Sequence, residues 1–593
     1  MSNQVKPNPF GKAEDLLSAG RLEEAELRFC QLSADGLHAA EACFRLGQIC
    51  RQRSRLTEAA EWLDQALKVR PEWPDAYHEL ALVSLANQEA QEAIVNLHQA
   101  LRIDPAHLVA RRTLADLFQA ACHWREAAHQ YAELFALQPT DPILFQNFGF
   151  CCQEAGEFQL AEQAYAKALK LGADSSELRF NIGVTRLKQG RPVEAILAFK
   201  EALDLDPTIT LANLAMANAY RQVGDLDSSE ACLRQEQAIN PNCADAAVNL
   251  GVVLQERHRV KEAIHCYKQA IQLNPHHPIL HWNFAIASLL AGDYETGWPE
   301  YEWRWQVKHK PKPKFVEPEW DGRDLEGRAI LLYAEQGFGD TLMFIRYAPL
   351  VARRNGRVIV ECQPPLRRLL AAMPDLSHVV GFGETLPEFQ VQAPLMSLPR
   401  IFGPVLDSDH QWEPYLRPAR GIERLLPPHD ENALKIGIAW GSNPQHPIFA
   451  EKSLDLAKWH PILDVPGCEF FSLQIDPNPS AVAIMEKHPH IHNLQPRFSD
   501  FADTAAVIRQ LDLVISVDTS VAHLAGGLGH SVWVMLSFSA DWRWLLKRKD
   551  SPWYPTMSLF RQSRPGHWES TVNEVAQNLE ALASRRDLDR HSR

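Results

Sequence analysis

Along the first half of the chain, apolar residues fall at helical spacing and small residues return every 34 positions. One register reads Ala13, Gly47, Ala81, Ala115, Gly149, Gly183, Ala217, Gly251 and Ala285. A second reads Ala25, Ala59, Ala93, Ala127, Ala161, Ala195, Ser229, Ala263 and Gly297. A third is Pro71, Pro105, Pro139, Pro207, Pro241 and Pro275, with Ala173 in the one gap. The pattern predicts pairs of helices that cross closely where a side chain must be small, with proline stopping the second helix. One pair cannot bury its apolar face alone, so neighbours must stack. After Trp305 the period changes. Strands are predicted at Ala329 to Ala334, Arg357 to Glu361, Lys435 to Trp440, Glu469 to Leu473, Leu513 to Val517 and Ser531 to Met535. Helices are predicted at Thr341 to Arg354, Leu454 to Leu463, Phe501 to Leu511 and Thr519 to Leu528. Such alternation implies parallel sheets covered by helices. A proline-rich stretch from Arg417 to Pro428 separates two lobes, with ligands expected at the carboxyl ends of their strands.

The expected domains are a helical repeat array over 8–305, a connector over 306–326, a first lobe over 327–425 and a second over 430–585. The 34-residue period resembles the tetratricopeptide family. The fold class is therefore expected to be an all-α tetratricopeptide superhelix of eight to nine repeats, followed by an α/β module of two Rossmann-like lobes. Two residues before the first small register stand Asn147, Asn181, Asn249 and Asn283, with Ala215 interrupting and Arg45, Glu79 and Thr113 in earlier repeats. Asparagine is a mediocre helix former, so propensity does not explain its recurrence. Its amide donates and accepts at once, which suits the backbone of an extended peptide. The register resembles the asparagine ladder in tetratricopeptide arms of protein O-glycosyltransferases. A consensus of a solvated inner face is the other reading.

Composition narrows the class. The 593 residues are too many for one core, and 46% hydrophobic with 23% charged residues is ordinary for globular protein. A formal net charge of −14 excludes bulk nucleic-acid binding. No basic-then-apolar leader opens the chain and no run of 18 apolar residues follows, so no transmembrane segment is expected. The 11 cysteines are scattered and never spaced C-x-x-C, which reads as reduced thiols in a cytoplasmic protein. The segment Lys308 to Lys314 is basic and proline-rich, either a stiff solvated connector or a contact for an anionic substrate.

Three strand-end loops carry candidate chemistry. The first strand runs into Gln336-Gly337-Phe338-Gly339-Asp340 and a helix. Gly337 and Gly339 permit close backbone approach to a ligand, but Leu342 stands where a dinucleotide fingerprint needs its third glycine, and no G-K-[ST] follows. Asp340 is either an acid–base residue or a helix cap. In the second lobe, Asp518-Thr519-Ser520 ends a strand and begins a helix, with His523 one turn in. Hydroxyls beside free N–H groups make an anion site suited to diphosphate. The plainer readings are a cap for Asp518 and a buried histidine for His523. Trp440-Gly441-Ser442-Asn443 offers polar groups at another strand end, and Lys452 downstream is a phosphate ligand or a surface lysine.

The strings LLYAEQGFGDTLMFIRYAPL, IGIAWGSNP, SVDTSVAHLAGGLG, DWRWLLKRKDSPWYP and MSLFRQ resemble the tetratricopeptide-linked branch of glycosyltransferase family 9, which includes heptosyltransferases. The resemblance spans nearly all of 320–580. It implies a GT-B fold, an acceptor on the first lobe and a nucleotide sugar on the second. It implies Asp340 as general base, Lys452 as phosphate ligand, and Asp518, Thr519, Ser520 and His523 as the diphosphate segment. The family commonly has glycine at the place of Ser520, and the DWRW and SPWYP segments belong to the tetratricopeptide-linked branch, which leaves the donor sugar open. Asp541, Arg543 and Trp544 either line the cleft or pack between lobes. The D-x-D pairs Asp204/Asp206, Asp407/Asp409 and Asp587/Asp589 do not follow a nucleotide-binding strand, so no metal ligand and no cofactor beyond the donor substrate are expected. The leading expectation is an inverting glycosyltransferase acting on a protein or peptide acceptor held by the repeats. The alternatives are a transferase of cell-surface glycan with the repeats recruiting partners, and a non-catalytic scaffold with a degenerate transferase module.

Overall fold

The computed structural model describes residues 9–34, 36, 38–307, 312–313, 315–403, 413–418, 426–442 and 449–591. Packing divides the chain into Met1–Ile239 and Asn240–Arg593. The division falls inside the repeat segment, so the helices of the last repeats group with the α/β part.

The first unit consists of antiparallel helix pairs. Its register residues Ala25, Ala59, Ala81, Ala93, Ala115, Ala127, Ala161 and Ala195 are all fully buried. The reason is visible sixteen residues downstream of the first register. A Cβ on Gly47 would lie 2.6 Å from Leu63, one on Gly149 2.6 Å from Tyr165, and one on Gly183 2.5 Å from Phe199. Each small residue thus seats a large side chain of the second helix in its pair. Ser229 keeps the second register, and its hydroxyl donates to the Ala217 carbonyl at 2.8 Å. The proline register lies two residues past helix ends at Val69, Ile103, Leu137 and Leu205, where proline cannot continue the helix.

The second unit opens with the helices Ala244–Glu256, Val260–Leu273, Pro278–Ala291 and Tyr294–Tyr301. Gly251 faces the buried Tyr267, as the same register does in the first unit. Two parallel sheets follow. The first comprises β1 (Ala329–Tyr333), β2 (Arg357–Cys362), β3 (His378–Gly381) and β4 (Val391–Pro394), in the order β3-β2-β1-β4. The second comprises β5 (Leu434–Ala439), β6 (Cys468–Ser472), β7 (Ile491–Asn493), β8 (Leu513–Val517), β9 (Val532–Leu536) and β10 (Met557–Arg561), in the order β10-β9-β8-β5-β6-β7. The chain leaves each sheet through helices, so this half is α/β as the alternation predicts.

Two helix expectations need correction. The predicted helix Thr341 to Arg354 is Phe338–Phe344, a 3-10 turn Ile345–Tyr347 and Ala348–Ala352. Pro349 interrupts the hydrogen-bond ladder there. The predicted helix Leu454 to Leu463 is a 3-10 turn Leu456–Trp459 followed by His460–Leu463, with Pro461 at the junction. Among the described residues no helix is long and apolar enough to cross a membrane. All eleven cysteines are free thiols, and burial pushes the Cys151 and Cys152 thiols up to about 12 and about 11.

Candidate functional site between the two sheets

The loop after β1 is anchored before it begins its helix. Arg304, fully buried at the end of the repeat helices, donates Nε to Glu335 Oε2 at 2.8 Å and Nη2 to Glu335 Oε1 at 2.9 Å. Its remaining donors reach Glu302 at 2.9 Å, the Ser397 hydroxyl at 2.9 Å and the Tyr301 carbonyl at 3.3 Å. All five guanidinium donors are used, so Glu335 is clamped and the next residues leave from a fixed point. Gln363 then donates to the Gln336 carbonyl at 2.7 Å and accepts from the Thr341 hydroxyl at 2.9 Å.

The helix Phe338–Phe344 is capped by Gly337, so Asp340 is not its cap but its third residue. Asp340 Oδ2 accepts from the Gly337 N–H at 2.9 Å, the carboxylate half of a capping box. Its Oδ1 accepts from Nη2 of Arg543, which lies on the loop after β9. Gly339 serves a different approach from the one expected. A Cβ there would lie 2.8 Å from Cδ2 of His523, so the missing side chain makes room for that ring.

In the second lobe, Thr519 caps the helix Ser520–Gly527. Its hydroxyl accepts from the Val521 N–H at 3.3 Å and meets the Ser516 hydroxyl at 3.1 Å. Asp518 is therefore not a cap. It pairs with the Lys452 ammonium at 2.7 Å, and both side chains are largely buried. Lys452 is thus not a solvated surface lysine. Burial works against its charge most strongly, but Asp518 and Asp541 outweigh it and hold its pKa above the usual lysine range. His523 is buried, with Nδ1 2.9 Å from the Tyr554 hydroxyl and its ring stacked on Trp544. Burial pushes its pKa down to about 3, so it stands neutral. Ser442 is half-buried, and its N–H donates to the Ser453 hydroxyl at 3.1 Å. Asn443, Asp407 and Asp409 lie outside the described residues.

Arg543 joins the lobes. Its Nη1 donates to Asp541 Oδ1 at 2.7 Å, and its guanidinium lies 4.4 Å over the Trp542 ring. Burial opposes its charge, yet Asp541 and Asp340 raise its pKa further above the arginine range. Asp541 is held below the usual carboxylate range: burial would raise it, but Arg543 and Lys452 prevail. Arg346 forms a second bridge, donating to the carbonyls of Met343 at 2.8 Å and Trp553 at 2.9 Å and to the Tyr415 hydroxyl at 3.2 Å. A third is Arg368 on the first lobe, which pairs with Asp500 at 3.1 Å and with Asp503. The repeat helices also touch the loop after β9, where His258 Nε2 is 2.9 Å from the Phe538 carbonyl and the two rings stack at 4.2 Å.

Asp340, Lys452, Asp518, Thr519 and His523 are thus gathered at the carboxyl ends of β1, β5 and β8, together with Arg543 and Asp541. Sequence reasoning left Arg543 between cleft lining and packing, and did not single out Arg304, Glu335, Arg346 or Tyr554. Buried arginines in a half rich in surface arginines carry no local signal. The four asparagines are half-buried on their helices. Asn249 Nδ2 donates back to the Asp245 carbonyl at 2.8 Å. Lys312 of the connector pairs with Glu319 at 2.5 Å, and residues 308–311 and 314 are outside the described set.

Tetratricopeptide-repeat models match residues 10–77 and 153–208, 186–251 and 244–277, so the chain contains tetratricopeptide repeats. The protein FlbA of Caulobacter vibrioides is 23% identical over 96% of this chain and 98% of its own length. The human protein O-mannosyl-transferase TMTC3 is 23% identical over 43% of this chain, which spans only 28% of it. The peroxisomal targeting signal receptor of Saccharomyces cerevisiae is 26% identical over 41% of this chain and 35% of its own length. A solved tetratricopeptide repeat protein from Parabacteroides merdae matches 42% of this chain and 99% of that one, at 16% identity and a TM-score of 0.33.

Proposed function

We propose that this chain is an inverting, nucleotide-sugar-dependent glycosyltransferase whose two lobes form a GT-B module like that of glycosyltransferase family 9. The observation that carries the reading is the meeting of Asp340, at the end of β1, with Arg543 and Asp541 from the other lobe, close to the Lys452–Asp518 pair. A carboxylate from one sheet thereby faces cations from the other, at strand ends of both. That is what displacement at an anomeric carbon needs: a base for the acceptor hydroxyl and positive charge for a departing diphosphate. A positioned base contributes about a hundred- to ten-thousand-fold. Stabilising the departing charge usually contributes more. Lys452 and the helix at Thr519 would hold the diphosphate, with Ser442 and Ser520 beside it. His523, neutral and fixed by Tyr554, supplies a ring wall and not a charge.

The acceptor in this reading is a protein or peptide on the repeats, contacted by Asn147, Asn181, Asn249 and Asn283. A relative named as a protein O-mannosyl-transferase and another named as a targeting-signal receptor support a polypeptide ligand. The test is a thermal-shift screen of nucleoside diphosphates and their sugars. A ligand at a hundred times its Kd stabilises by about 2.7 kcal/mol and names the donor class. Transfer should then persist with a chelator, vanish in Asp340→Asn, and fall for protein acceptors when the four asparagines become alanine. A screen with no stabilising nucleotide at millimolar concentration would sink the reading.

A further inference from the structure

Among the described residues, the cations of the inter-lobe site are already engaged. Lys452 is bound to Asp518, and Arg543 to Asp340 and Asp541. Three carboxylates are held by two cations, so a phosphate must compete with a carboxylate for either of them. Asp340 is equally committed. Gly337 takes its Oδ2 and Arg543 its Oδ1, so neither oxygen is without a partner to begin with. Arg543 nevertheless keeps one nitrogen unengaged: its Nε is buried and has no hydrogen-bond partner among the described residues. An unpaired buried N–H is costly, so its retention asks for a reason. Arg304 in the same protein shows what that edge does when filled. Its Nε and Nη2 together grip both oxygens of Glu335. On Arg543 the same edge holds a single oxygen of Asp340 through Nη2, and the Nε position stands open. Two oxygens of one phosphate match the whole edge, which one carboxylate oxygen does not.

We infer, building on the glycosyltransferase reading, that the donor's phosphate displaces Asp340 from the Nε–Nη2 edge of Arg543. Arg543 is then a catalytic residue that grips the leaving phosphate, and donor binding is what frees Asp340 Oδ1 to act as the base. Asp541 remains on Nη1 and keeps the guanidinium in place during the exchange. In the transfer step the acceptor oxygen forms its bond to the anomeric carbon and gives its proton to Asp340. The bond from that carbon to the phosphate oxygen breaks, and its electron pair stays on the nucleoside diphosphate, against Arg543 and Lys452. Donor therefore binds before the acceptor is activated, and without donor the base stays locked.

The exchange makes Asp340 a competitor of phosphate, which a base with no such tie would not be. The test is isothermal titration of the full chain with inorganic pyrophosphate. Loss of a charged hydrogen bond that competes with the ligand should tighten binding in Asp340→Asn by about tenfold. Arg543→Gln should weaken it by at least as much. If Arg543→Gln fails to fold, Arg543→Lys keeps the charge without the fork and should still bind several-fold more weakly than wild type. Unchanged or weaker pyrophosphate binding in Asp340→Asn, or no binding in either protein, would overturn the exchange. Titration with nucleoside diphosphates separates the two ideas. If they bind wild type and Asp340→Asn equally, the exchange fails and the transferase reading stands. If pyrophosphate binding is tightened in Asp340→Asn but no nucleoside diphosphate binds, the exchange stands and the donor assignment fails.

Discussion

Replacing Arg304 by methionine tests how firmly the repeat helices hold the loop that carries Asp340. The side chain is fully buried and places five N–H donors on five acceptors. Methionine fills similar volume but leaves Glu335, itself 6% exposed, as a buried carboxylate without its counter-ion. Breaking one side of a buried pair costs about 3–5 kcal/mol, because the orphaned charge keeps its desolvation penalty. Replacing both members by apolar residues of similar size is often near neutral. The double variant Arg304→Met with Glu335→Met should therefore recover most of the loss, while losing the anchored loop. The assay is urea unfolding of the full chain, followed by emission from the buried Trp298, Trp542, Trp544 and Trp553. Because the chain has two units, the transition of the second is compared between variants and not treated as one global unfolding. A loss below about 1 kcal/mol for Arg304→Met, or a double variant as unstable as the sum of the singles, would refute the clamp.

Three further outcomes follow from packing and burial. Gly251→Ala gains about 1 kcal/mol of helix propensity but drives a methyl into the buried Tyr267 ring, so urea denaturation should show a net loss of about 1–3 kcal/mol, and a net gain would contradict the close crossing. Gly339→Ala places a Cβ 2.8 Å from His523, so it should abolish nucleotide-induced thermal shifts while leaving the far-ultraviolet dichroism of the repeats unchanged. His523 is held neutral with its pKa pushed down to about 3, so the unfolded chain, with an ordinary histidine, takes its proton first as pH falls. Its contribution is unchanged above about pH 6.5 and erodes below it, by about 2 kcal/mol at pH 5. His523→Gln should lose less stability than wild type between pH 7 and 5, and parallel curves would show that the ring is not buried neutral.

Legibility of the fold followed exposure. The six strands read from the sequence are β1, β2, β5, β6, β8 and β9, all interior to their sheets. The four missed are β3, β4, β7 and β10, and every one is an edge strand. Interior strands of a parallel sheet are covered on both faces and read as continuous apolar runs. Edge strands such as His378–Gly381 and Ile491–Asn493 are shorter and less buried, so no run marks them. The placement of the candidate residues was legible in the same measure. Asp340, Lys452, Asp518, Thr519 and His523 stand at strand ends where loops advertise themselves by glycine and hydroxyl residues. Which of them cap helices was not legible, because capping depends on backbone angles: Gly337 and Thr519 hold those positions, while Asp518 and the second oxygen of Asp340 form ion pairs.

By itself the sequence determined the repeat. A 34-residue spacing of small residues fixes where helices can touch, since only a missing side chain admits Tyr165, Phe199 or Tyr267. It also determined that parallel α/β lobes follow, because interior strands are apolar at most of their positions. The tertiary structure alone decided the pairings across long separations. Asp340 meets Arg543 over 203 positions, and Arg346 meets the Trp553 carbonyl over 207. Charge is a local property of a residue, whereas the partner that neutralises it depends on how two sheets distant in sequence come together. No spacing rule along the chain encodes that meeting.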